Sequence, residues 1–288
     1  MLHLFAAELA RLTEGRLDVE VYLSEELGSQ NDTLELAQLG GIDFVRFNSA
    51  PLNVLVPETL VPSLPFLFRS IAHVRKAMDG EPGRAILAAL EERGLIGLAF
   101  YESGARSIHT VDRPVREPQD MAGLKIRVQT SDLFVSMVEA TGGNAIPMAY
   151  GEAYQGMVQD VIDGAENNFP LYESSRHFEV APIYSLTRHV LAPEIFAMSK
   201  RSWDKLSPQD REAVPQAARA SVPVMREIWD RRVIDSREII TVAGVQIVEG
   251  VDRAAFSERM QPVWDAHANT PRLRRLVEDI RNMGTGND

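Results

Sequence analysis

Residues 124–168 read LKIRVQTSDLFVSMVEATGGNAIPMAYGEAYQGMVQDVIDGAENN. The stretch opens on a short strand with Leu124, Ile126 and Val128 on one face and Arg127 on the other. Ser131 then caps an amphipathic helix, NAIPMAY makes a second strand ending near Tyr150, EAYQGMVQDV makes a helix, and DGAENN is a third strand closing on Asn167 and Asn168. A cation, an aromatic ring and an amide are thereby offered at successive strand ends. In open α/β sheets small ligands bind there, because loops converge and helix N-termini point to that edge. The stretch therefore predicts an α/β fold holding a small organic anion.

The same alternation extends on both sides. Leu2, Phe5, Leu9 and Leu12 follow helical spacing with Gly15 as a stop, and LDVEVYL (17–23) predicts a strand with Leu17, Val19 and Val21 on one face. A helix follows, with Asn31 or Asp32 as its N-cap and Gly40-Gly41 as its end, and IDFVRFNS is a strand ending in Asn48 and Ser49. Pro51, Pro57, Pro62 and Pro65 break the next stretch into a loop. Helices from Ser70 and Pro82 precede the strand GLIGLAFYES, and RSIHTV leads into the opening stretch. Beyond it, YSLTRHVLAPEIFAMS gives two strands around Pro193, and 207–242 is a long helix with bends or breaks expected at Pro215 and Pro223. The strand VQIVEG, the helices DRAAFSERMQPVWDAHA and RLRRLVEDIRNM, and a frayed tail GTGND complete the chain. Alternating strands and helices predict mostly parallel sheets. LELAQLGGIDFVRFN and YQGMVQDVIDGAENN echo each other, each a helix, an Ile-Asp pair, a strand and an asparagine, which suggests two similar halves.

At 288 residues, 45% hydrophobic and 25% charged, the chain is long enough for one large or two smaller cores. Its net charge of -11 argues against nucleic-acid binding and against a polybasic membrane contact. The lack of cysteine excludes thiol nucleophiles, disulfides and zinc-thiolate sites. No run reaches the ~20 apolar residues of a membrane span. Glycine-rich nucleotide loops, the G-x-S-x-G elbow and H-E-x-x-H are all missing, and no cofactor is expected. The histidines are scattered, His177 and His189 having no acidic neighbour in sequence to define a metal site.

Arg127 can hold a carboxylate through two parallel hydrogen bonds or form a structural ion pair. Arg106 follows a turn and taken alone reads as a solvated loop arginine. Tyr150 can stack on a ligand or finish a core. Asn167 and Asn168 suit hydroxyls or a carboxylate, or serve as caps. Glu152 and Glu166 fit capping or pairing better than acid-base work.

The ordered series LGSQNDTLELAQLGGIDF, LPFLF, GARSIHT, MAGLKIRV, PMAYGEAYQGMVQDVIDGAENN, SRHFEV and LTRH, spanning about 9–273, resembles the DctP-type solute-binding subunits of TRAP (tripartite ATP-independent periplasmic) transporters. That resemblance implies a periplasmic, two-lobed receptor that closes on its ligand, each lobe a mostly parallel sheet flanked by helices, with a long helix spanning both. The lobes would comprise 1–103 plus about 193–231, and 104–192 plus about 232–288. It further implies Arg127 as the carboxylate anchor, Arg106 assisting, Tyr150 and Asn167 beside them, and Arg46, Asn48, Ser49 and Gln30 or Asn31 from the facing lobe. The implied ligand is a sugar acid, a uronate or hexonate, with a C4-dicarboxylate or 2-oxo acid as the alternative and an enzyme on the same scaffold as a remote one. Its implied partners are the transporter's membrane subunits, and the receptor is expected to be a monomer with neither nucleic acid nor membrane insertion. Such proteins normally begin with a signal peptide and a first strand bearing a ligand contact. MLHLFAAELARLTEGR is neither, so that strand is expected upstream of Met1.

Overall fold

The computed structural model describes residues 2–23, 26–102 and 104–283. Helix α1 (Leu2–Leu12) buries Phe5 and Leu9, and Gly15 at φ +76 turns the chain out of it. The strand expected at 17–23 does not form. Leu17 and Val19 pack beside the cluster of Phe5 and Leu9, but the segment enters no sheet, and a strand without a ladder partner is not a stable unit. Helix α2 (Gln30–Leu39) is capped two or three residues earlier than expected. Ser29 and Asp32 form a reciprocal capping box that Asn31 cannot make from inside the first turn, and Gly40 ends the helix at φ +82.

Strand β1 (Phe44–Asn48) is followed by two 3-10 turns, Ala50–Leu52 and Pro57–Ser63, where the prolines break regular structure. Helices α3 (Ile71–Asp79, capped by Ser70) and α4 (Glu81–Ala89) lead to β2 (Leu95–Tyr101). Two glycines let these elements touch: a Cβ on Gly83 would lie 1.9 Å from the Met78 carbonyl oxygen, and one on Gly97 2.7 Å from that of Leu87.

The chain then builds β3 (Arg106–Thr110), β4 (Lys125–Val128), α5 (Asp132–Ala140), β5 (Asn144–Pro147), α6 (Ala153–Val158), β6 (Gly164–Asn167), α7 (Phe169–Ser174) and β7 (Ile183–Val190). After Pro193 it continues with β8 (Glu194–Ser199), α8 (Lys200–Trp203), α9 (Pro208–Val242), β9 (Gln246–Val248), α10 (Arg253–Glu258), α11 (Gln261–His267) and α12 (Pro271–Asn282). The tail GTGND, expected to fray, lies outside the described residues.

The strands form two sheets, ordered β1-β8-β2 and β5-β4-β6-β3-β7-β9. In the larger sheet β4 runs parallel to β5 and β6, and β7 to β9, while β3 is antiparallel to both its neighbours. In the smaller one β8 runs antiparallel between β1 and β2, which are therefore separated rather than paired. The expected parallel character thus holds for only part of the α/β structure, because β8 enters the smaller sheet directly from β7 of the larger one. Both echoed asparagines end strands, Asn48 in β1 and Asn167 in β6.

Helix α9 touches α1 and β2 on the smaller sheet and α7 beside the larger one, so it spans both. Of the bend or break expected at Pro215 and Pro223, no break occurs: both lie inside one helix. Each proline removes one backbone donor, at about 3 kcal/mol, and burial of Ala213, Val214, Ala217, Ala218, Met225 and Trp229 along the same helix offsets that loss. The last helix crosses back: α11 packs on α5, but α12 packs on α4 and the 57–63 turn, with Arg272 paired to Glu58 at 2.7 Å. One apolar core consequently joins residues of both sheets, from Leu52 and Val61 to Val128, Phe134 and Ile280.

Candidate functional site

β4 presents Arg127 opposite Ala165 of β6 and Ile146 of β5. Arg127 is buried, 4% exposed, and its Nε donates to the Met148 carbonyl at 2.9 Å. Its guanidinium carbon lies 5.8 Å from the centre of the Tyr150 ring, within cation-π range. The Tyr150 hydroxyl donates to the Leu171 carbonyl at 2.9 Å, so both ends of the ring are held.

Arg106 is no solvated loop residue. It begins β3 with 2% exposure, and its Nε and Nη2 donate to the Glu166 carboxylate at 2.6 and 2.8 Å. Nη2 also donates to the Glu166 carbonyl at 3.0 Å. His189 Nε2 stands 3.4 Å from the same carboxylate, and its Nδ1 lies 2.8 Å from the Thr187 hydroxyl. Burial by itself would raise the Glu166 carboxyl. The Arg106 charge and the hydrogen bonds from His189 and Arg106 outweigh burial and hold it down at about 2. A carboxylate so acidic is no general base at neutral pH, and Glu166 acts as the counter-charge of Arg106. Glu152 accepts from the backbone N–H of Ala149 at 3.2 Å, a local cap.

The sequence signal for the Arg106–Glu166 pair is one full charge in each of two short buried strands, RSIHT and GAEN, since a buried charge requires a partner. Sequence distance hides the rest. His189 meets Glu166, 23 residues away in the chain, only through the fold.

Asn167 is 2% exposed; its side-chain oxygen accepts from the Asn168 N–H at 3.0 Å and its carbonyl accepts from the Tyr184 hydroxyl at 2.6 Å. Asn168 caps α7 through the Leu171 N–H. Across the molecule, Asn48 is 4% exposed at the end of β1, with its N–H donating to Gln30 Oε1 at 2.9 Å and its side-chain oxygen accepting from Ala50 N–H at 3.2 Å. The Ser49 and Ser63 hydroxyls meet at 2.7 Å. Arg46 is paired with Glu194 of β8 and, with Gln30, lines a groove of about 230 Å³ that also includes Tyr22, Leu27 and Phe44. Asn31 is exposed on α2.

The expected residues therefore fall into two sets. Arg106, Arg127 and Asn167 belong to the larger sheet and Tyr150 to the turn after β5, with Arg127 and Asn167 on one face of the sheet and the Glu166 that pairs Arg106 on the other. Gln30, Asn48, Ser49 and Arg46 cluster around the end of β1. The turn after β1 reaches the side of the first set through Asn53, whose Nδ2 donates to the Ser131 hydroxyl at the start of α5 at 3.1 Å. Among the described residues, no group of three or more His, Cys, Asp or Glu could hold a metal ion, and no helix is long and apolar enough to cross a membrane.

Residues 1–270 match the family described as bacterial extracellular solute-binding protein, family 7, or DctP. The chain belongs to this family. The DctP-family chain is 46% identical over 279 residues to a solute-binding protein of Chromohalobacter salexigens, covering 96% of this chain and 83% of the relative. Its fold superposes with a TM-score of 0.95 on a TRAP periplasmic solute-binding protein of Bradyrhizobium sp. solved with α/β-D-galacturonate, at 48% identity over 97% of this chain and 93% of the other. A Chromohalobacter salexigens TRAP solute-binding protein solved with D-glucuronate gives 0.95 at 46% identity, over 98% and 94%. Both sheets and α9 thus belong to a DctP-family solute receptor, and its relatives are receptors rather than enzymes.

Proposed function

We propose that this DctP-family chain is the periplasmic receptor of a TRAP transporter for a hexuronate, D-galacturonate or D-glucuronate. The observation that carries the ligand is the pair of uronate-bound relatives at 48% and 46% identity, each superposing over nearly the whole chain. The wall on the larger sheet supports it chemically. Arg127 is buried, aimed by the Met148 carbonyl and faced by the Tyr150 ring, which suits a carboxylate held in fixed orientation. Arg106, neutralised by Glu166, adds structure and N–H donors at the wall's back, and Asn167 supplies amide chemistry for hydroxyls. From the other side Asn48 and Ser49, with Gln30 or Asn31 and Arg46 behind them, form the facing wall.

In this reading 1–103 plus about 193–231 and 104–192 plus about 232–288 are the two lobes, and α12 packs from the second onto the first. Closure of the lobes around the anion presents one shape to the transporter's membrane subunits, and the receptor works as a monomer without turning its ligand over.

A thermal-shift series tests this. D-galacturonate or D-glucuronate at a hundredfold excess over Kd stabilises the folded state by about 2.7 kcal/mol. For a chain of this size that is a rise in Tm of roughly 4–5 °C. Arg127→Ala abolishes the rise, and the uronate is recovered chemically unchanged after incubation. A shift with succinate and none with either uronate would replace the uronate reading by the dicarboxylate one. A full uronate shift in Arg127→Ala would remove Arg127 from its role.

A further inference from the structure

His109 on β3 and His177 in the 3-10 turn after α7 are 0% and 2% exposed, and they meet behind Tyr150. His109 Nε2 lies 3.3 Å from His177 Nδ1, although 68 residues separate them in the chain. The His177 ring stands 5.7 Å from the Tyr150 ring, on which the Arg127 guanidinium also bears. On its other side His109 packs against Tyr172 at 4.7 Å and lies parallel to Tyr184 at 6.1 Å. The Tyr184 hydroxyl in turn donates to the Asn167 carbonyl. A continuous line of rings therefore runs from Arg127 through Tyr150, His177, His109 and Tyr184 to Asn167.

One proton lies between the two facing imidazole nitrogens, and the pair is neutral as long as neither ring takes up a further proton. The surroundings enforce that state. Burial lowers both histidines, His177 to about 4 and His109 well below its ordinary value, and the cations that face them are Arg127 from β4 for both and Arg106 from β3 for His109. The remaining ring neighbours, Tyr150, Tyr172 and Tyr184, supply no compensating anion. The direction of the hydrogen bond follows as well. His109 Nδ1 is buried without a partner, and an unpaired lone pair costs less than an unpaired N–H. His109 therefore carries its proton on Nε2 and donates to His177 Nδ1, leaving His177 as the Nε2–H tautomer.

We propose that the His109–His177 pair is a brace that holds Tyr150 against the Arg127 guanidinium, making His177 a positioning residue for the bound carboxylate. The inference rests on the uronate reading of the same wall. The Tyr150 hydroxyl is pinned to Leu171, and the ring's angle is set by what packs on its face. Truncating His177 frees the ring to turn away from Arg127, and the anion loses an oriented partner without losing a direct contact.

Calorimetric titration with D-galacturonate, stopped-flow release and ¹⁵N-edited histidine spectra test the brace. His177→Ala raises Kd about five- to tenfold, chiefly through faster release, and His177→Phe, which restores a ring against Tyr150, returns it to within about twofold of the unaltered protein. The spectra of the unaltered protein at neutral pH show both histidines as neutral Nε2–H tautomers. An unchanged Kd in His177→Ala overturns the proposal, as does a charged or Nδ1–H His177 in the spectra. Should His177→Ala not fold, a Kd for His177→Phe more than about tenfold weaker overturns it equally. If the unaltered protein binds neither uronate, the receptor reading fails instead, and the tautomer spectra alone then decide whether the neutral pair exists.

Discussion

Glu166→Gln is the most direct probe of how the site is built. The substitution keeps the side chain's shape and removes the only charge that the described contacts set against the buried Arg106 guanidinium. Breaking a buried pair by neutralising one partner costs about 3–5 kcal/mol, because the other charge is left without compensation. Linkage offers an independent measure. The Glu166 carboxyl falls from 4.5 to about 2 on folding, a difference worth about 3 kcal/mol. Its folded value is depressed, so this stability is fully present above the unfolded value of 4.5 and is lost as pH falls toward about 2. Urea unfolding of both proteins between pH 7 and pH 3.5 should show Glu166→Gln less stable by about 3 kcal/mol at pH 7, the gap narrowing to about 2 kcal/mol at pH 3.5. A difference under about 1 kcal/mol at pH 7, or one that widens as pH falls, would refute the argument that Arg106 depends on this carboxylate. The double variant Arg106→Met with Glu166→Leu should regain stability relative to Glu166→Gln alone, because it buries no charge, while weakening uronate binding.

Two further substitutions test the frame around the site. Gly83→Ala forces a Cβ onto the Met78 carbonyl oxygen at 1.9 Å, so α3 and α4 must part, and chemical denaturation should register a loss of about 2–4 kcal/mol with no direct effect on the binding wall; a loss below about 0.5 kcal/mol would show that the helices give way freely. Asn53→Ala removes the donor to Ser131 that joins the turn after β1 to the start of α5, and should cost about 1–2 kcal/mol in urea melts and speed uronate release; unchanged release would confine Asn53 to a structural role.

Much of the local structure was legible residue by residue. Ser70, Ser131 and Ser207 stand at the helix starts expected of them, Gly40 at a helix end, and the strands around Arg127, Asn48 and Asn167 lie where apolar alternation puts them. For Ser70 and Ser207 these are short-range effects, in which a side chain meets its own backbone within a turn, whereas Ser131 holds the N-cap place without such a bond and accepts from Asn53. Where local rules failed, distant packing decided. The alternation at 17–23 found no ladder partner, and Pro215 and Pro223 were carried inside α9 by the sheets and helices packed along it. The antiparallel insertion of β8 between β1 and β2 follows from the crossover at Pro193, which no period in the sequence announces.

For residues 124–168 the sequence alone determined that a cation and an amide would stand on neighbouring strands, because strand period fixes which residues reach the sheet edge. The strand expected to end near Tyr150 stops at Pro147 and leaves the aromatic ring in the 3-10 turn beyond it. Only the tertiary structure decided what each would meet. Arg106 and Glu166 are 60 residues apart and His109 and His177 are 68, and sheet order brings each pair together. A buried charge or imidazole takes its state from whatever burial sets against it, so the counter-charge of Arg106 and the neutral pair behind Tyr150 belong to the fold rather than to any stretch of sequence.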